Sequence, residues 1–317
     1  MLSRVAENLY WFSRYVRRAE NMARLLNVSS QLQLDLPRAA RFVWRPLIET
    51  VGAAEEFDRL HEGEAEPSEA MVVRFLLAEP DHPMSLLSMI GHAREILRTV
   101  RETLPQECWV TINDLHLYLE ANAERAIVRR YRQELLDRVI DGCLRVSALL
   151  TANVSRDVGY QFLRLGTGIE QADMTTRIID AAAAGLIVPR NEEDLEAFRA
   201  MQWMSLLHSL AAYQMYRRQM RQRVSVELAL QFLLKDREFP RSVFFCLSRI
   251  QGVLPLMPDR RQVQQALKRV LGLVFDADPR RLSGNSVGDS ATCAFMDRVQ
   301  VELGGLHNAI QQSYFLS

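Results

Sequence analysis

One helical stretch is present twice in this chain, and that repetition limits the folds open to it. Trp11 to Leu26 reads WFSRYVRRAENMARLL, and Phe162 to Ile179 reads FLRLGTGIEQADMTTRII. Neither contains proline, and apolar residues return every three or four positions, so both are expected to be helices. In the first, Phe12, Val16, Ala19, Ala23 and Leu26 form one apolar stripe, with Arg17, Glu20 and Arg24 beside it. The second carries Glu170, Asp173 and Arg177 at the same three points. Charges at i, i+3 and i+7 share one side of a helix, next to the face that is buried. Other pieces recur in the same order at offsets of about 153 to 160 residues. Phe75-Leu76-Leu77 with Pro83 and Ser85 returns as Phe232-Leu233-Leu234 with Pro240 and Ser242. Trp44 with Leu47-Ile48 returns as Trp203 with Leu206-Leu207, and Asp137-Arg138-Val139 as Asp297-Arg298-Val299. Such self-similarity implies a tandem duplication. The expectation is one unit over residues 1–317, with halves 1–155 and 156–317 sharing a core around a pseudo-twofold axis. No Gly/Ser/Pro-rich linker near the midpoint suggests two separate beads.

The class expected is all-α. Only 14 glycines and 11 prolines interrupt the chain, and its long runs free of both favour helices over strands. Ser3 reads as the N-cap of a first helix reaching about Asn27. Pro37 reads as opening a second helix, which Pro46 kinks or restarts. Ser68 caps a short helix ending at Leu77. A longer helix is expected from Pro83 to just before Pro105, and another from Pro105 that turns Trp109 and Leu115 inward. The last helix of the first half is expected over 130–152.

Basic and acidic residues balance at 39 each, which argues against a general affinity for nucleic acid or anionic membrane. The N-terminus lacks a signal-peptide core, and no apolar run approaches the ~20 residues that span a bilayer. A cytoplasmic protein is expected. Cys108, Cys143, Cys246 and Cys293 show no C-x-x-C spacing, so reduced thiols are expected. Lys235 and Lys268 are the only lysines. Arginine dominance fits a GC-rich genome, although planar guanidinium groups also suit buried ion pairs and oxyanion recognition.

Local chemical motifs are weak. Gly284-Asn285-Ser286-Val287-Gly288 has the spacing of a serine elbow but no strand before it. Gly166-x-Gly168 lacks the third glycine of a dinucleotide loop and sits in a helix, where it would permit close helix approach. A di-iron bundle requires Glu-x-x-His on facing helices; this spacing occurs once, at Glu79-x-x-His82, in a stretch that reads as a loop. His92-x-x-Glu95 has the reverse order and reads as a solvated pair. His61 and His82 read as loop residues, and His208 and His307 as half-buried helical ones. No metal and no cofactor are expected. The candidates that remain are Arg17, Arg18, Glu20, Arg24, Glu170, Asp173 and Arg177. If buried they must be paired, since isolated buried charge is prohibitive. The spacing allows intrahelical pairs at i and i+4, Glu20 with Arg24 and Asp173 with Arg177, and the repeat offers partners across the helices, Arg17 for Glu170 and Arg18 or Arg24 for Asp173. The network is either structural alone or also borders a polar cleft.

NLYWFSRYVRRAENMARLL, HAREILRTVRE with ECWVTIND after it, FLRLGTGIEQADMTTRIID and FPRSVFFCLSRI together resemble the Alpha-E family of bacterial all-helical proteins, named for an E-R signature. The resemblance covers nearly the whole chain. It implies a partner, a circularly permuted ATP-grasp ligase, often with a transglutaminase-like and sometimes a proteasome-like peptidase. It also implies an accessory role in forming or processing amide-linked peptides. The family's Glu-Arg pairs fall at Arg17-Arg18 and at Glu170-Gln171, so the first copy keeps only the arginine and the second only the glutamate. That departure argues against a twin-carboxylate mechanism and for one shared salt-bridge network. Glu20, Arg24, Asp173 and Arg177 match the family pattern. The expected function is a non-catalytic adaptor. The alternative is an all-α enzyme whose arginines clamp a carboxylate or phosphate of a peptide-like substrate while Glu20, Glu170 or Asp173 acts as base.

Overall fold

The computed structural model describes residues 3–61, 66–190, 195–258, 260–284 and 290–316. Beyond Gly284, the serine-elbow motif lies outside the described residues.

α1 (Ser3–Asp35) runs eight residues past its expected end at Asn27. No glycine or proline stops it before Pro37, and its last turns are held from the side. Leu32 is buried, Asn27 Nδ2 donates to Asp137 Oδ1 (2.9 Å), and Arg132 donates to Ser30 Oγ (2.9 Å). Ser3 does not act as the expected N-cap; its hydroxyl donates instead to the carbonyl of Phe315 (2.9 Å).

The second helix expected from Pro37 does not form. Pro37 accepts from Ala40 N in a turn, and the chain then extends into β1 (Ala40–Phe42). Pro46 falls in the first turn of α2 (Arg45–Thr50), where its missing N–H leaves no hydrogen bond unmade. Gly52, in the left-handed region at φ +69°, separates α2 from α3 (Ala54–Leu60). α4 (Glu69–Leu77) starts as expected, with Ser68 Oγ accepting from Met71 N. α5 (Leu86–Thr99) is capped by Ser85, two residues after Pro83. α6 (Gln106–Asn122) buries Leu115, whereas Trp109 stays half-buried with Arg94 and Arg101 near its ring. α7 (Arg129–Asn153) follows.

The second part of the chain begins with α8 (Val158–Ala184), capped by Asp157, and continues into β2 (Ile187–Pro189). After it come α9 (Leu195–Ser209), α10 (Tyr213–Met220), α11 (Val226–Lys235), α12 (Val243–Val253), α13 (Arg261–Phe275), α14 (Pro279–Leu282) and α15 (Ser290–Tyr314). The protein is all-α apart from one two-stranded ribbon among the described residues. In it, β1 and β2 pair antiparallel with Arg41 opposite Val188.

α1 and α8 lie against each other at the centre. α5 and α7 flank α1, while α12 and α15 flank α8, and buried apolar side chains of both parts form one continuous cluster. Gly166 is what allows the central pair to approach so closely. A Cβ there would overlap Ser13 Oγ and the Tyr10 carbonyl of α1, and one at Gly168 would press on Ile250 of α12 at 2.9 Å. No described helix is long and apolar enough to cross a membrane.

Candidate functional site

The α1–α8 contact is apolar for most of its length, but two carboxylates are sealed within it. Glu170 of α8 and Glu20 of α1 are each fully buried, and arginines surround both. Buried charge survives only with partners of this kind.

Arg14 and Arg18 stand one turn apart on α1, so both guanidinium groups reach the same point on α8. Arg14 Nε donates to Glu170 Oε2 at 2.8 Å. Arg18 Nη2 donates to the same oxygen at 2.8 Å, and its Nε donates to Oε1, a bidentate grip. Burial alone would raise the Glu170 pKa, but Arg18 and Arg14 outweigh it and hold the carboxyl well below its ordinary range. Behind Arg14 lies His307 of α15. Its Nδ1 is 2.8 Å from the Tyr10 hydroxyl and 3.1 Å from Arg14 Nη1. Arginine can only donate, so Nδ1 must be the bare acceptor and Nε2 carries the proton. Burial, with Arg14 next to the ring, depresses the His307 pKa to about 4, and burial pushes the Tyr10 phenol up to about 12. Both are neutral at pH 7.

Glu20 organises a second cluster. Arg24 Nε donates to Oε1 at 2.9 Å, Arg241 Nη2 to the same oxygen at 2.5 Å, and Arg17 Nη1 to Oε2. Arg241 lies in the loop between α11 and α12, and its position is set through its backbone. Thr175 Oγ1 of α8 donates to the Arg241 carbonyl at 2.9 Å, and Arg241 Nη1 reaches Asn21 Oδ1 at 2.9 Å. Burial would raise the Glu20 pKa, but Arg17, Arg241 and Arg24 together lower it. Asp173 and Arg177 form a third, less buried pair along α8 (2.8 Å), where Arg177 Nη1 also approaches the Thr50 carbonyl at 3.4 Å.

The intrahelical pairs expected for Glu20 with Arg24 and Asp173 with Arg177 form, whereas the expected crossings from Arg17 to Glu170 and from Arg18 or Arg24 to Asp173 do not. The two signature helices do meet, but Arg17 and Arg24 stay with Glu20 on their own helix, and Asp173 takes Arg177 of its own. Arg18 makes the crossing to Glu170. Adjacent helical positions point about 100° apart, so Arg17 and Arg18 cannot serve the same partner. Arg14 was missed, although it sits four residues before Arg18 and shares its side of the helix. Arg241, Tyr10 and His307 were missed because contacts across 70 to 297 residues leave no local spacing to read.

Among the described residues, no three His, Cys, Asp or Glu side chains converge on a metal position. His92 and Glu95 do not pair: the His92 ring lies 5.2 Å from Tyr15, and Glu95 bonds to Arg94 and Arg98. Chemically, the network fixes helix geometry. Carboxylates held anionic by two or three guanidinium groups are weak proton acceptors, and arginine does not release its proton near neutral pH.

The chain belongs to the Alpha-E family, whose model, described as a predicted alpha-helical domain with a conserved ER motif, matches residues 1–315. It is 25% identical over 281 residues to Uncharacterized protein Mb2597 of Mycobacterium bovis, covering 80% of this chain and 30% of that protein. The same figures hold for Uncharacterized protein Rv2567 of Mycobacterium tuberculosis strain H37Rv. The chain thus spans about 30% of the length of the curated relatives it matches. No solved structure matches it.

Proposed function

We propose that the protein is a non-catalytic helical adaptor of the bacterial cytoplasm that works with an ATP-grasp amide ligase or a peptide-processing system. The supporting observation is that Glu20 and Glu170 are fully buried and saturated by arginines. An enzyme acting on a carboxylate- or phosphate-bearing peptide would need one of these groups, or Asp173, free to take a proton. Glu20 and Glu170 have depressed pKa values, and Asp173 is bonded to Arg177. The ligase as partner, with a transglutaminase-like or proteasome-like peptidase beside it, follows from the family resemblance.

The adaptor reading includes an internal duplication, with halves 1–155 and 156–317 in one unit around a pseudo-twofold axis. Three features support it. The element order after α8 closely follows that after α1, the two leading helices pack together, and the strands that follow them pair antiparallel. Antiparallel pairing of equivalent strands is what a twofold relation produces.

Co-purification with the ATP-grasp ligase tests the function. The complex is expected to form and to weaken in Arg24→Ala or Arg177→Ala proteins that stay folded. A ligase that neither binds this protein nor changes activity in its presence would remove the reading. So would amide-forming turnover by this chain alone that is abolished in a Glu170→Gln protein shown to remain folded.

A further inference from the structure

A cavity of about 280 Å³ lies beside the Glu20 cluster, bounded by α7, α8 and α12 with α1 behind. Four guanidinium groups line it, those of Arg17, Arg164, Arg241 and Arg249, and no carboxylate does. Arg17 and Arg241 share the single charge of Glu20 with Arg24, so three cations divide one anion. Arg164 bonds only to the neutral Gln161 side chain (3.1 Å), and Arg249 lies near the Phe245 ring with no carboxylate partner among the described residues. Arg17 keeps its Nε–H buried and without a hydrogen-bond partner. Tyr160 and Thr167 add hydroxyl groups to the wall, and Leu150, Leu163 and Phe245 add an apolar side.

Like charges gathered in a partly buried space repel one another unless an anion joins them. Burial and the nearby Arg249 lower the Arg164 pKa. Burial, together with repulsion from Arg17 and Arg24, lowers that of Arg241 despite Glu20. The protein satisfies a single carboxylate, Glu170, with two arginines. Four around one cavity call for more negative charge than one carboxylate supplies. A phosphate monoester carries nearly two negative charges and three acceptor oxygens, which match the fork of arginine. The volume sits at the small end for ligand sites, which suits a small molecule.

We propose that this pocket binds a small phosphorylated organic molecule, its phosphate taken by Arg17, Arg164, Arg241 and Arg249 and its organic part lying against Leu150, Leu163 and Phe245. This site is independent of the adaptor role, since it needs neither a ligase nor turnover.

Calorimetric titration of the full chain at low salt tests it with three probes: phenyl phosphate, inorganic phosphate and glutarate, a dicarboxylate. Phenyl phosphate is expected to saturate one site, at least tenfold more tightly than either of the others. Arg164→Gln and Arg249→Gln, at positions that carry no carboxylate pairing, are each expected to weaken it about tenfold. Arg281→Gln, far out on exposed α14, should leave it unchanged. Absence of saturable binding, or equal binding in both pocket variants, would overturn the site. Glutarate binding as tightly would overturn the phosphate assignment, and inorganic phosphate binding as tightly would overturn the organic part.

Discussion

Arg18 of α1 holds Glu170 of α8 through two of its nitrogens, and Arg14 completes the grip from one turn below. The Glu170 carboxylate is fully buried, and this pair crosses the central contact between the two helices.

Removing one member of that group should destabilise the protein strongly. Glu170→Gln leaves Arg14 and Arg18 facing each other without an anion, which is expected to cost about 3–5 kcal/mol. Urea unfolding measures this. A double-mutant cycle with Arg18→Met should give a coupling of at least about 1 kcal/mol. Near-zero coupling would mean that the pair is incidental to stability.

Acid should weaken the fold in two stages. His307 titrates near 4 in the folded chain against its ordinary 6.5. Between those values the unfolded chain binds a proton that the folded chain does not, so stability falls as pH drops through this window and levels off below it. The loss is on the order of 1–2 kcal/mol after allowance for solvent screening. Glu20 and Glu170 act lower. Their depressed pKa values contribute stability that is full above the ordinary carboxylate value of 4.5 and is lost as pH falls below it. In His307→Gln, which can still accept from Tyr10 and Arg14, the slope between pH 6.5 and 4 should flatten while the acid limb persists. An unchanged upper slope would assign it to other groups.

Alanine substitution at three helical glycines should give three different results. At Gly166 the added methyl meets the backbone of α1, which cannot yield, so a loss of about 3 kcal/mol or more is expected. At Gly168 it meets Cγ1 of the buried Ile250 rather than backbone, and the loss should be smaller, about 1–2 kcal/mol. At Gly304, exposed on α15 with open space around it, the change should stabilise by about 0.5–1 kcal/mol. Thermal unfolding of the three variants checks the order, and a tolerated Gly166→Ala would contradict the close α1–α8 approach.

The thiols should react unequally. Cys108, Cys143 and Cys246 are buried, and burial raises each thiol pKa, to about 11 for Cys108 and about 12 for Cys246. Cys293 is only half-buried. Titration with a disulfide reagent at neutral pH should label at most Cys293 quickly in the native protein and all four on unfolding. Fast labelling of Cys143, which lies behind the Glu20 cluster, would show that the centre opens readily.

Local signals were readable where one element decides the outcome. The stripe of Phe12, Val16, Ala19, Ala23 and Leu26 is buried as its spacing implied, and Ser68 and Gly166 act as their positions suggested. Reading failed where a distant segment intervened. Ala40–Phe42 is strand rather than helix because Ile187–Pro189 lies alongside to take its hydrogen bonds. Helix α1 passes Asn27 because Asp137 and Arg132 of α7 hold its end.

The amino-acid order by itself determined that this chain is helical, that two charged helices resemble one another, and that their ionic groups lie next to buried surface. Periodicity carries that much, because neighbours three and four residues apart share a face whatever the rest of the chain does. The tertiary structure alone decided which charge meets which. Arg18 rather than Arg17 crosses to α8, Arg241 closes on Glu20, and His307 ends beside Arg14, because partner choice depends on the rotation and approach of packed helices.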